Sequence, residues 1–569
     1  MRYLGLACDY DGTLAHAGRV ADKTVAALER LRASGRKLIL VTGRELPDLL
    51  SVFPRTDLFE WVVAENGCLL YRPSTQEKKP LSEPPPAKFV LELQKRNVAP
   101  LSIGQSIVAT WTPHETTVLD VIRQLGLELQ VIFNKGAVMV LPAGHNKATG
   151  LAAALDQMLL SPHNIVAIGD AENDHAFLKF CECSVATSNA LPVLKESVDF
   201  VTAGINGAGV TELIDEIIRT DLSEREPLLS RYHILLGTRE NGEEVRIGMP
   251  GLNLLLAGSS GGGKSTAATS IVERLVEQRY QFCLIDPEGD YAIEDAVTLG
   301  GQNRPPTIDE ALSVLNDPHD NAVINLVGLA LNKRPEFFLS LLTRLQELRS
   351  LAGRPHMIIV DEAHHVLPAS WEPASIALPK NLDQMIYITV EPKSMSGPVL
   401  PTVNTVVALG GDPRKILSEL SEAVGEEAPR LGETPLQTGE VLVWLKNKKE
   451  PPFKVKVIPT RGERRRHKRK YAEGDLGPDR SFYFQGPEKK LHLQAQNLML
   501  FIQLADGLDD ETWTYHLREG DYSKWFRDVI KDETLAAEAV RVEGMTDLSA
   551  AESRKLIKAA INERYTAPV

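Results

Sequence analysis

No stretch of the 569-residue sequence approaches the ~18–20 uninterrupted apolar residues of a membrane helix, so no membrane partner is expected. Cysteine is scarce, and Cys8, Cys68, Cys181, Cys183 and Cys283 include no C-x-x-C pair. An odd set of this kind, partly in apolar strand-like surroundings, fits reduced, buried thiols in a cytoplasm. Positive charge is also short: 63 Lys and Arg against 76 Asp and Glu leave a formal charge of -13. That argues against general adhesion to nucleic acid or anionic membrane, although a local basic run can still bind polyanions. The opening MRYLGLAC is far shorter than a signal-peptide core and runs straight into aspartates, so no targeting segment is expected. Internal repeats are absent. What is present is ordinary for a soluble globular protein, 43% hydrophobic and 24% charged. The chain is too long for one core, and ~100–200 residues per domain suggests three or four units.

Short apolar runs at 3–8, 37–42, 61–64 and 164–169 end in polar or Gly-rich turns, with helical patterns at 22–33 and 148–159 between them. Runs buried on both faces and separated by helices predict a doubly wound parallel sheet, whose ligands bind at the carboxyl ends of its strands. A Pro-rich break, EKKPLSEPPP at 77–86, interrupts the alternation, and helix, strand, helix, strand then follow to about residue 141. Residues 75–143 are therefore read as an inserted module within a first domain of residues 1–220. The segment RTDLSEREP at 219–227 has the charge and Pro content of an interdomain linker. A hairpin is predicted around Asn241-Gly242, followed by LNLLLAG, a Gly-rich loop, a helix over 265–277, and strands at 282–286, 322–327, 357–361, 385–390 and 405–410. These make a second α/β domain, residues 230–460. Residues 461–569 begin with RGERRRHKRK, seven basic residues in ten, and turn mostly helical over 493–565.

The chemistry begins at CDYDGTLA, residues 8–15. Asp9 and Asp11, i and i+2 at a strand end, point the same way in extended chain, while Gly12 permits a sharp turn. Such a pair can bind Mg²⁺ and act as nucleophile and proton donor. Thr42 closes LILVTGR, where its hydroxyl and the next amide could hold a phosphoryl oxygen. Lys147 opens a helix, a place where a cation is unexpected on dipole grounds and so suggests a nearby anion. IVAIGDAEND, residues 165–174, adds Asp170 and Asp174 after another buried strand. Four acids, a Thr and a Lys thus converge on one sheet edge.

These residues resemble the haloacid dehalogenase (HAD) superfamily of phosphatases: DYDGTLA its first motif, VTGR its second, Lys147 its third and GDAEND its fourth, in order and at the expected spacing. VDFVTAGINGAGVTELI, 198–214, is similar to the closing segment of the Cof-type, C2-capped branch. The resemblance implies that Asp9 attacks phosphorus and forms an aspartyl-phosphate, and that Asp11 serves as general acid and then base. It further implies that Thr42 and Lys147 stabilise phosphoryl oxygens, that Asp9, Asp170 and Asp174 hold Mg²⁺, and that Asn173 hydrogen-bonds nearby. The inserted module sits where a C2 cap lies, which favours a small phosphate ester of the sugar-phosphate or phosphoglycolate kind. His114 and Trp111 are candidate specificity contacts, weighed against plain cap packing.

A second site is carried by GSSGGGKST, which satisfies G-x-x-x-x-G-K-S between a strand and a helix. Gly258, Ser259, Ser260, Gly261, Gly262, Gly263, Lys264, Ser265 and Thr266 form the candidate ATP-binding loop, with Lys264 on the β- and γ-phosphates and Ser265 on Mg²⁺. In MIIVDEAHH, Asp361 fits the Walker B carboxylate on Mg²⁺ and Glu362 a base that polarises water. Together with IDPEGDY, 285–291, this resembles HerA/FtsK-type ATPases, a RecA/HerA-like P-loop fold. The later strand departs from the family: relatives read T-Q-x-P where this chain has Thr389-Val390-Glu391-Pro392, and Val cannot hydrogen-bond phosphate. Arg344, Arg349 and Arg354 are candidates for an arginine finger, with surface or structural roles as the alternative.

The expected molecule is a cytoplasmic, Mg²⁺-dependent HAD-type phosphatase fused to an ATP-binding domain that regulates or couples it. The alternative is a HerA-like nucleic-acid motor or defence ATPase with an accessory phosphatase; Val390 and the acidic chain count against it, the basic run for it. A nucleotide-sensing scaffold without turnover is a third reading. A homo-oligomer is open, and nucleic acid is open but not favoured. Aromatics in the tail are read as core.

Overall fold

The computed structural model describes the chain apart from residues 135, 260–262, 371–381, 431–434, 449, 459, 461–470, 472–475, 477–479, 488–490, 531, 546 and 566–569. The basic run, with Arg464 to Arg466, therefore lies outside the described residues.

The first sheet orders its strands Phe200–Val201, Cys183–Ala186, Ile165–Gly169, Gly5–Asp9, Lys37–Val41, Trp61–Ala64, Leu69–Arg72 and Glu77–Pro80. All pair in parallel up to Trp61–Ala64, and the last two are antiparallel. The central strands show no apolar/polar alternation because both faces are covered. Helices Asp22–Ala33 and Asn206–Thr220 pack into one face, and Lys147–Met158 into the other. Glu77–Pro80, expected as part of a Pro-rich break, is an edge strand with all four residues exposed. An edge strand facing water needs no apolar residues, so no hydrophobic signal marked it.

Ser102–Ile103, Val108–Trp111, Ala137–Pro142 and Leu129–Asn134 form a separate antiparallel sheet. Helices Ala87–Lys95 and Glu115–Leu125 cover one face of it through Phe89, Leu93, Val118 and Val121. Its other face brings Ile132, Met139 and Leu141 against Cys68 of the first sheet.

The larger sheet runs Glu244–Ile247, Ile234–Thr238, Phe453–Val457, Glu440–Leu445, Thr405–Leu409, Asn253–Gly258, Met385–Thr389, Met357–Val360, Phe282–Asp286, Ala322–Asn325 and Val297–Gly300. It is parallel from Thr405–Leu409 to Val297–Gly300, with the antiparallel strands at one side. Asn253–Gly258 sits centrally and feeds the Lys264–Glu277 helix. Val297–Gly300, a short, partly exposed edge strand, was not expected from the sequence.

The expected linker at 219–227 is ordered. The helix Asn206–Thr220 runs into it, and Arg2 bonds Asp221 through its backbone and Glu226 through its guanidinium. Beyond residue 480, Phe482–Phe484 pairs with Leu493–Ala495 in a hairpin, and the helix Leu498–Gly507 follows it. Among the described residues, five helices follow to Tyr565. The aromatics there are core: Phe501 stacks on Trp525 at 5.4 Å and Trp513 on Tyr522 at 4.5 Å. Among the described residues, no helix is long and apolar enough to cross a membrane. The five cysteines are buried and free.

Candidate active sites

Gly5–Asp9 ends in Asp9, which is buried at 3% exposure beside Asp170 and Asp174. The three carboxylates offer ligand atoms within 4.8 Å of one another. Lys147 Nζ donates to Asp9 Oδ1 and to Asp174 Oδ1, both at 2.6 Å. Its place at the start of a helix is explained: Asn146 caps the helix, accepting from Ala148 and Thr149, and the ammonium turns inward to the carboxylates. Burial opposes the charge on Lys147, but Asp174 and Asp9 outweigh it and hold the amine protonated. Burial pushes Asp9 up, with Asp174 and Asp170 adding to the shift and Lys147 opposing it.

Asp174 Oδ2 accepts from the amides of Asp170 and Ala171, each at 2.8 Å, and this folds the loop back on itself. The turn requires Gly169, since a Cβ there would sit 2.7 Å from the Asp174 carboxylate. Thr13 Oγ1 donates to Asp170 at 3.2 Å, and Asn189, which sequence reading missed, donates to Asp170 at 3.3 Å and to the Gly12 carbonyl at 2.8 Å.

Asp11 stands outside the carboxylate cluster. Both its oxygens take the Arg44 guanidinium, at 2.6 and 2.7 Å, so the structure does not bring it together with Asp9, Asp170 and Asp174 as a metal group. Arg44 was legible inside VTGR, yet nothing in the sequence indicated its partner. Thr42 Oγ1 accepts the Arg44 amide at 3.1 Å, and Asn66 donates its amide to the Thr42 carbonyl. Asn173 donates to Asn66 Oδ1 at 2.9 Å and Asn66 Nδ2 contacts Met139 Sδ at 2.6 Å, so the small sheet reaches the floor of the site. Glu65 anchors the same sheet, its carboxylate accepting the amides of Gln105 at 3.0 Å and Ser106 at 2.7 Å. His114 is bonded to the Ala99 carbonyl at 3.0 Å within its own module, whereas Trp111 is 53% exposed.

Three buried carboxylates facing one buried ammonium leave uncompensated negative charge. That donor set fits a hard divalent cation, since oxygen ligands of this kind suit Mg²⁺.

In the larger sheet, Lys264 follows Gly263, which takes φ +91° as the loop enters the helix. Lys264 Nζ donates to the carbonyls of Gly258 at 2.8 Å and Ser259 at 3.2 Å. Ser265 is exposed and Thr266 half-buried, while Ser260, Gly261 and Gly262 lie outside the described residues. Asp361 follows the next strand but one; burial, with help from Glu362 and Asp286, pushes it up to about 8. Glu362 adopts φ +38°, and its buried Oε2 makes no hydrogen bond, with His364 Nδ1 3.5 Å away. His364 Nδ1 also lies 3.3 Å from Thr389 Oγ1. Val390 comes directly after the strand that pairs Thr389 with Ala257. Asp286 shapes the adjoining turn by accepting the amides of Gly289, Asp290 and Tyr291. Glu288 lies close enough to act on Lys264 and on Glu362. A lysine resting on its own loop carbonyls beside several carboxylates is an arrangement ready for a phosphate and its counter-cation.

Of the arginine-finger candidates, Arg349 and Arg354 are tied to loop carbonyls, and Arg344 lies on the surface. Arg349 bonds the carbonyls of Pro355, Asp383 and Gln384, Arg354 those of Leu315, Asn316 and Leu159, and Arg344 pairs with Glu347.

A family model of haloacid dehalogenase-like hydrolases matches residues 6–106 and 116–214, and one of the helicase HerA central domain matches 246–343, ending before Asp361. Phosphoglycolate phosphatase 2 of Saccharolobus solfataricus is 29% identical over 218 residues, covering 37% of this chain and 91% of that protein. A phosphoglycolate phosphatase of Methanothermobacter thermautotrophicus is 28% identical, covering 37% and 96%. Among solved structures, a haloacid dehalogenase-like hydrolase from Bacteroides thetaiotaomicron is 19% identical at TM-score 0.34, covering 38% of this chain and 99% of that one. The chain thus carries a HAD-type hydrolase region followed by a HerA-like region.

Proposed function

We propose that residues 1–220, with 75–143 as the cap, hydrolyse a small phosphate monoester through a phosphoryl group carried on Asp9, and that residues 230–460 bind ATP and regulate that reaction. The observation that carries the reading is the buried meeting of Asp9, Asp170, Asp174 and Lys147 at the strand ends. The named relatives support phosphoglycolate or a similar small ester as substrate.

In the first step an Asp9 carboxylate oxygen attacks phosphorus, the phosphorus–ester oxygen bond breaks, and Asp11, which must enter the step protonated and with one oxygen released from Arg44, gives its proton to the departing oxygen. In the second, Asp11 takes a proton from water, whose oxygen attacks phosphorus and returns Asp9 with release of inorganic phosphate. Thr42 and Lys147 hold the non-bridging oxygens, and Arg44 aims the Asp11 carboxylate. Asp9, Asp170 and Asp174 would hold Mg²⁺, which when bound supplies the positive charge that lets an anionic nucleophile approach an anionic phosphoryl group. Met139 over the floor of the site excludes bulk water.

In the second site Lys264, Ser265 and Asp361 would engage the nucleotide phosphates and their Mg²⁺, and Glu362 would orient water. Buried, free cysteines support a cytoplasmic setting. The test is phosphate release from a panel of glycolate and sugar phosphates by wild type and Asp9→Asn; equal rates would overturn the reading. The HerA match favours one other reading, a nucleic-acid motor or defence ATPase, which DNA-stimulated ATP hydrolysis would reveal.

A further inference from the structure

Both sites lie at the carboxyl ends of their strands, yet the two sheets touch at their opposite, amino ends. The loop that joins the Lys147–Met158 helix to Ile165–Gly169 is gripped by two loops of the larger sheet. His163 Nε2 contacts the Gln278 carbonyl at 2.7 Å, and its ring stacks on Tyr280 with centroids 3.9 Å apart. Asn164 meets His356 at 3.2 Å and the Gly353 carbonyl at 3.3 Å, while Arg354 reaches the Leu159 carbonyl at 2.9 Å. Beneath them Glu182 accepts His163 Nδ1 at 2.6 Å, Arg2 at 2.7 Å and Tyr280 Oη at 3.0 Å. His163, Glu182, Tyr280 and His356 are all buried.

Each gripping loop leads straight to a phosphate-handling residue. The 14-residue helix capped at its carboxyl end by Gln278 begins at Lys264, about 21 Å away at 1.5 Å per residue. The strand after Gly353–His356 leads into Asp361, and on the other side His163 is followed by the strand that leads into Asp170. The two sites stand a full strand length to either side of the interface, so no phosphoryl group is handed directly from one to the other. Movement can pass along a continuous element: Lys264, bonded to the Gly258 and Ser259 carbonyls, opens the helix whose C-cap carbonyl at Gln278 meets His163.

We infer that nucleotide binding at Lys264 tunes the phosphatase from a distance, through the Lys264–Glu277 helix and the His163–Glu182–Tyr280 clamp, without any ligand shared between the sites. The inference rests on the two activities proposed above and deepens them by naming the route.

Steady-state hydrolysis of 2-phosphoglycolate, with and without a non-hydrolysable ATP analogue, tests it in wild type, His163→Ala and Tyr280→Phe. The analogue is expected to change wild-type kcat/KM by about fivefold or more, the ordinary size of an allosteric coupling. Both variants should keep nucleotide affinity and basal turnover and lose the change. Tyr280→Phe guards against misfolding, because it removes only the hydroxyl that meets Glu182. Retention of the full change in both variants, or no change in a wild type that binds the analogue, overturns the inference. Amide hydrogen exchange over residues 159–164 with and without the analogue separates this failure from that of the phosphatase reading. Exchange that shifts in wild type but not in Tyr280→Phe upholds the clamp even if no ester is hydrolysed, and exchange indifferent to nucleotide sinks it.

Discussion

The two candidate phosphate sites both lie at the end of a parallel sheet, yet their lysines are placed differently. Around Asp9 the lysine is already seated between two carboxylates and the acidic loop is locked by backbone amides. Around Lys264 the lysine is turned onto its own loop and Glu362 Oε2 is buried without a hydrogen bond. In the first site the ammonium already meets acids; in the second it meets only carbonyls. A preorganised site suits covalent chemistry, because electrostatic stabilisation then needs no reorganisation during the reaction. A site that rearranges on binding suits a sensor, since only a ligand with unequal affinity for two states can shift an equilibrium.

The comparison breaks most sharply at Asp9. Asp9→Asn keeps the shape and removes the nucleophile, and phosphatase kcat should fall by about 10⁴-fold or more, as when a nucleophile is lost elsewhere; a phosphate-release assay reads this, and ATP binding should be unaffected. Lys147→Ala leaves three carboxylates buried against no cation, and the N-terminal unit should lose about 3–5 kcal/mol of stability in metal-free thermal melts, the cost of breaking a buried charge pair. Lys264→Ala has no such burden: its ammonium is bonded only to carbonyls, so ATP affinity should drop about 100-fold in a fluorescence titration while the melting temperature barely moves. Val390→Gln tests whether the second site lacks only a sensor, and ATP turnover should rise about tenfold. The smallest effect belongs to the joint between the regions. Burial raises Glu182, but hydrogen bonding from His163 and the charges of His163 and Arg2 prevail and hold it below the usual carboxylate range. Its contribution to stability is complete above about pH 4.3, the unfolded value, and is lost as pH falls through the lower folded value. Glu182→Gln should flatten that acid-side decline in melting temperature.

Legibility followed burial. Buried parallel strands such as Gly5–Asp9 and Phe282–Asp286 write their full length as apolar runs, and the motifs at their ends could be read directly. The edge strand Glu77–Pro80 faces water and carries no such record, and Val297–Gly300 is too short an apolar run to stand out. The segment at 219–227 looks like a linker because its acids are polar, but Asp221 and Glu226 are there to meet Arg2, more than 200 residues earlier. Likewise Asn66, Asn189 and the Arg44–Asp11 pair depend on contacts made across the fold, which no local spacing encodes. Asp11 illustrates the limit best: its place in the motif was evident, while its partner was not.

The grip of Glu65 on the Gln105 and Ser106 amides also sets a tempo. With no Cβ to spare at Gly104, which would come within 2.8 Å of that carboxylate, the turn of the inserted sheet is fastened to the first domain by a fitted catch and not by a loose tether. Lid motions run on the microsecond-to-millisecond scale and often outlast the chemistry they enclose. Release of this catch as the slow step would tie each turnover to the friction of the surrounding solvent, and a viscous medium should then slow phosphate release even where every bond-making step is unchanged.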